Sequence, residues 1–159
     1  MSINKQEALE ELELFIFHID DWVEELIEKA ENQGFRLDFS QESLKDLAVF
    51  VRKNNIINNR ENINDFANCW IYLGEVFRKM AKNAYWTVGI EDKRNMNYGL
   101  YYLTGYDLEM SEFIPVLYLN NFTLSTEDEL DNNFFYRLVE FELNPVIPNL
   151  DYLPTEEDD

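Results

Sequence analysis

Two carboxylate pairs, Asp20 with Glu24 and Asp21 with Glu25, stand four residues apart in FIFHIDDWVEELIEKAE. On a helix that spacing puts each pair on one face, where it can hold a hard divalent cation or simply face water. His18 is the single histidine, and no cysteine lies near enough in sequence to form a ligand pair with it. Flanked by Phe17 and Ile19, it reads as a packing or surface residue. STEDELDNN has the acidic density of a calcium loop but neither the Asp-x-Asp-x-Asp-Gly spacing nor a glutamate at the twelfth position. Thr126 followed by Glu129 fits a helix capping box instead.

Other chemistries find no residues here. The sequence has no Gly-rich phosphate loop, no G-x-S-x-G elbow and no basic stripe interleaved with aromatics. No catalytic residue, metal set or cofactor is expected. Cys69, the single cysteine, sits in an apolar helical pattern and reads as a small buried hydrophobe, so no disulfide framework exists and a reducing compartment follows. The N-terminal stretch is acidic where a signal peptide needs a basic start, and no run approaches about 18 apolar residues. A cytoplasmic protein is expected, with no membrane partner.

The charge is segregated. The formal net charge is −19, with 10 acidic and 2 basic residues in 1–35, 8 and 10 in 36–94, and 14 and 1 in 95–159. Such a field repels nucleic acid and anionic lipid and steers cationic partners, although solubility alone also accounts for a high net charge. A basic protein partner is therefore expected to meet one of two acidic regions. One is the outer face of the first helix, with Asp20, Asp21, Glu24 and Glu25; the other is the segment that begins at Glu127 and Asp128. Tyr101 and Tyr102, with Tyr98, Tyr106, Tyr85 and Trp86 nearby, offer rigid amphipathic contact area, or else point hydroxyls outward from a sheet whose other face is core.

These residues need elements to hold them. Ala8, Leu12, Phe15, Ile19, Trp22 and Leu26 alternate at spacings of four and three, which predicts one long helix from Asn4 to about Asn32, stopped by Gly34. Leu9, Ile16, Val23, Ile27 and Ala30 widen its stripe. A second helix starts at Ser40, with Leu44, Leu47, Ala48 and Val51 inward, and an asparagine-rich loop follows. A third runs from about Ile63 to Lys82, with Ile63, Phe66, Ala67, Trp70, Gly74 and Phe77 on one stripe. Gly74 lies on the buried side as a notch for a close neighbour, and Glu75 can reach Arg78 or Lys79, or be held by a tyrosine hydroxyl.

Past Asn83 the period changes to two. AYWTVGIE, NYGLYYLTGYD and FIPVLYL predict a three-stranded antiparallel meander, with Pro115 consigning the third strand to an edge. A last helix is expected after the capping box, with Leu130, Phe134, Leu138 and Phe141 on its stripe. The expectation is thus one α+β domain over residues 1–144, built of about four helices and a small sheet, and an extended acidic tail over 145–159.

YLGEVFRK, followed by a tryptophan and a short sheet and preceded by LDFSQESLKDL, resembles a group of small bacterial proteins whose helix carries a Tyr-Leu-Gly-Glu-Val sequence. The likeness covers roughly residues 37–105. Some members are candidate immunity proteins that neutralise a neighbouring cell's toxin, and the resemblance implies a binding protein whose acidic face occludes a basic toxin domain. The alternative is a small ligand-binding domain or enzyme that uses Glu75 and the tyrosine-rich region.

Overall fold

The computed structural model describes residues 3–145. In chain order the elements are α1 (Lys5–Glu31), α2 (Ser43–Lys53), α3 (Ile63–Met80), β1 (Tyr85–Val88), β2 (Tyr101–Thr104), α4 (Pro115–Thr123) and α5 (Phe134–Leu143). The architecture is α+β, as the change of period predicts, but with five helices and a two-stranded sheet.

Helix α1 begins where the Asn4 side chain accepts the backbone N–H of Glu7 at 3.1 Å. It ends where Gly34, at φ +86°, turns the chain so that the Phe35 N–H bonds back to the Ala30 carbonyl. Phe15, Ile19, Val23, Leu26 and Ala30 are buried, while Leu9 and Ile16 are exposed. The apolar stripe is therefore narrower than its residue types imply, because the elements that pack on α1, chiefly α3 and β1, cover one side of it and leave Leu9 and Ile16 exposed.

Ser40 accepts the Ser43 N–H at 3.1 Å in the turn before the helix, but α2 begins at Ser43, three residues later than expected, with Glu42 at its N-cap. Leu44, Leu47, Ala48 and Val51 are all buried, and Phe50 joins them. The Tyr72 hydroxyl on α3 accepts the Phe39 N–H at 2.9 Å and shares a 2.6 Å bond with the Ser43 hydroxyl, which fixes the turn into α2 against the centre of the domain. Helix α3 is the core element, buried from Ile71 through Phe77; Ile63, placed on its stripe by spacing, is exposed.

The third strand is corrected. Phe113 makes a single antiparallel bridge with Leu103, exchanging two backbone bonds of 2.8 Å, and there the ladder stops. Pro115 has no N–H to continue it, and its fixed φ suits the first turn of a helix instead. Helix α4 starts at that proline and buries Pro115, Leu119 and Phe122, a spacing of four then three. The apolar run FIPVLYL fits both periods over so short a length, and helical packing against α3 decides between them.

The last helix is also corrected. The capping box forms, with the Thr126 N–H bonding Glu129 Oε1 at 3.0 Å and the Glu129 N–H bonding Thr126 Oγ1 at 3.3 Å. It caps only one turn. Asp131 then takes the Asn133 N–H and the Arg137 guanidinium, and α5 starts at Phe134. Its fully buried residues are Phe135 and Val139, one position round from the expected stripe, and Phe141 is exposed. The expected tail, 145–159, lies outside the described residues apart from Pro145.

Candidate functional site

A cleft of about 340 Å³ opens between α1, α3 and β2. Phe15 supplies its floor. Tyr101 of β2 stacks on Phe15 with centroids 4.1 Å apart, and Trp70 of α3 lies stacked at 5.8 Å. Trp22, two turns along α1 from Phe15, approaches it at 5.8 Å with tilted planes. Helical spacing brings Phe15 and Trp22 to one side of α1, and antiparallel pairing of Val88 with Tyr101 carries the tyrosine up to them.

The polar lining is Glu25, Asn64 and Asn68. Glu25 is exposed on α1, one turn beyond Asp21. Asn68 is 5 % exposed, and its carboxamide makes no hydrogen bond among the described residues. Nearby, the Lys29 ammonium is held 2.8 Å from the Asp65 carboxylate, tying α1 to α3. That bond raises the Lys29 pKa, with the Glu25 carboxylate adding to it, so the ammonium stays charged and ion-paired beside the cleft.

The expected site residues fall into separate places. Asp20, Asp21, Glu24 and Glu25 are all exposed on α1, so the helix presents the carboxylate face that the spacing implies. His18 approaches Asp21 at 3.8 Å and Trp22 at 5.6 Å. No group of three or more His, Cys, Asp or Glu side chains among the described residues is arranged to hold a metal ion. Glu127 and Asp128 sit on the exposed turn before α5. Arg52 of α2 fastens that segment, donating to the Leu130 carbonyl at 2.5 Å and Asn132 Oδ1 at 2.9 Å while lying over the Phe122 ring.

The tyrosines do not form one surface. Tyr101 faces the cleft, whereas Tyr102, its neighbour on the strand, lines a separate hollow with Asn97, Thr104 and Glu112. Burial raises the pKa of both phenols. Tyr98 accepts the Ile3 N–H at 3.0 Å, and Tyr106 donates to Glu142 at 3.4 Å.

Glu75 is buried and fully engaged. Its Oε2 accepts the Trp86 indole N–H at 2.9 Å and the Arg78 Nε at 2.7 Å, and Oε1 accepts the second guanidinium nitrogen at 3.0 Å. The Arg78 pKa rises, through that bond first. Helical spacing correctly points to Arg78; an indole takes the place expected for a tyrosine hydroxyl. The sequence signal for the cleft itself was present but divided, because Phe15 and Trp22 read as core, Trp70 as a stripe and Tyr101 as sheet surface.

Fold and site together define an α+β domain with an aromatic cleft, lined by one carboxylate, beside an anionic helix. Comparison with protein-family models, with curated proteins and with solved structures gave no match.

Proposed function

We propose that this chain is an intracellular binding protein of the immunity type, which engages a basic protein partner such as a toxin domain through the acidic face of α1 and the cleft beside it. The observation that carries the reading is the exposure of Asp20, Asp21, Glu24 and Glu25 on one helix, where Glu25 lines an open aromatic cleft and Asp20 a second hollow beside Glu75 and Arg78. Exposed charge steers encounter, and a desolvated aromatic centre then supplies contact area at low entropy cost. A single free thiol, buried on α3, supports a reducing compartment, and no helix among the described residues is long and apolar enough to cross a membrane.

The Glu127 and Asp128 turn is the second docking surface, exposed like the α1 carboxylates, with Glu127 already accepting a bond from Asn132 at 3.1 Å. Glu75 fits poorly as the polar centre of a ligand pocket, because both its oxygens are already bonded. The test is paired capture from the native cell, using the wild-type chain and a variant with Asp20, Asp21, Glu24 and Glu25 reversed to lysine. The reading expects a basic protein on the first and its loss from the second, with circular dichroism unchanged. An acidic protein, or one retained equally by both, contradicts it.

A further inference from the structure

Asn68 keeps a polar group at the wall of the cleft. It is 5 % exposed on α3, its carboxamide has no hydrogen-bond partner among the described residues, and it lines the cleft. No polar side-chain atom sealed from solvent lacks a partner among the described residues. The Asn68 amide therefore keeps a sliver of its surface open, and the cleft is the opening available to it. Water meets the amide there, and a group that enters the cleft must replace that bond or leave the amide unpaired. The group that enters must also suit π faces and a carboxylate.

We propose that the cleft is a receptor for a single arginine side chain of the partner, a deepening that rests on the basic-partner reading above. A guanidinium is flat, lies well against indole and phenol rings, and carries five N–H donors in one plane. Trp22, Trp70 and Tyr101 supply aromatic walls, Glu25 a carboxylate and Asn68 an amide. The volume of about 340 Å³ lies at the small end of the range for ligand pockets, about 300–1,000 Å³, which suits a side chain better than a nucleotide-sized cofactor. Lys29, one turn from Glu25 and within its electrostatic reach, is bonded to Asp65, so an entering guanidinium shares Glu25 with a cation that is already paired.

Other occupants leave something unpaired. An aliphatic or phenyl side chain fills the aromatic walls but bonds neither Asn68 nor Glu25, and desolvating a carboxylate without a partner is unfavourable. A lysine brings charge, but its ammonium is a compact, strongly hydrated point that gains less from stacking and cannot fork onto a carboxylate.

The test titrates the intact chain with three blocked tripeptides, Gly-Arg-Gly, Gly-Lys-Gly and Gly-citrulline-Gly, following the indole N–H signals of Trp22 and Trp70 and the side-chain amide of Asn68 by NMR. Citrulline keeps the shape of arginine without its charge. The arginine peptide is expected to shift all three signals saturably, with lysine and citrulline weaker by at least about fivefold. Glu25→Gln, a change at an exposed position that leaves the fold intact, is expected to weaken arginine binding by a similar factor, and Asn68→Leu to weaken it further. Equal binding of lysine and arginine, shifts confined to residues outside the cleft, or indifference to Glu25→Gln would each overturn the proposal. The readout also separates the two claims. A captured basic protein that ignores both cleft substitutions but is lost on reversing Asp20, Asp21 and Glu24 overturns the arginine receptor alone. Arginine-peptide binding in the cleft with an acidic captured partner overturns the broader reading alone.

Discussion

The Trp86 indole lies across Gly74 while its N–H donates to Glu75, the very next residue on α3, at 2.9 Å. Adjacent residues thus seat one ring: the glycine by having no side chain, the glutamate by catching the nitrogen. A Cβ built at Gly74 would fall inside the ring carbons Cη2 and Cζ2 and press on Pro115. The ring cannot slide away without losing its bond to Glu75. Gly74→Ala is therefore expected to destabilise the fold by about 1–3 kcal/mol, the usual range for overpacking, measured as a lower denaturant midpoint. An unchanged midpoint would mean that the tryptophan has another place to go.

Glu75 and Trp86 should be energetically coupled. Trp86→Phe strips Glu75 of one partner, and Glu75→Gln weakens both the indole bond and the pair with Arg78. In a double-mutant cycle we expect the two changes to be non-additive by about 1–2 kcal/mol, as for other bonded neighbours. Simple additivity would show that the bond contributes nothing beyond its ring packing.

Cys69 is fully buried, and burial first, then the nearby Asp65 carboxylate, push its thiol above the ordinary range. Neither access nor thiolate is available in the native state. A disulfide-exchange reagent should leave it unlabelled in buffer and label it stoichiometrically in denaturant. Rapid native labelling would contradict its place in the buried core.

Glu142 is half-buried in the last turn of α5, and its pKa is raised above 4.5, by burial first, with Asp107 adding repulsion against the bond from Tyr106. A raised folded-state carboxyl stabilises the fold fully below its unfolded value and loses that contribution as pH rises through the folded value. At neutral pH the ionised group is therefore a cost, increased by the negative end of the helix. Glu142→Gln should raise the melting temperature at pH 7 by about 1–2 °C, a small effect because solvent screens a half-exposed group. Below pH 4 the gain should vanish, and a gain that persisted there would point to packing instead.

The helices were legible because their signals are local. Asn4 and Gly34 act at helix ends where sequence spacing places them, and the inward face of α2 follows from four apolar positions. Gly74 was legible as a notch, but not the ring that fills it, since Trp86 arrives from the next element. The chain from Phe113 to Leu119 misled because seven apolar residues satisfy two periods, and the choice belongs to α3, which α4 packs against. The box at Thr126 forms as written, yet Asp131 diverts the backbone after one turn. The cleft was least legible: its walls come from three elements, and only their packing brings Phe15, Trp70 and Tyr101 together.

The central claim is that the acidic face of α1 draws in a basic protein, and the association rate tests it most directly. For the captured partner, raising salt from about 0.05 to 0.5 M should slow association steeply while changing dissociation much less, because screening removes long-range attraction before it reaches a desolvated contact. The variant with Asp20, Asp21, Glu24 and Glu25 reversed should associate slowly at low salt and respond little to more. An on-rate for the wild type that does not change with salt would contradict the account.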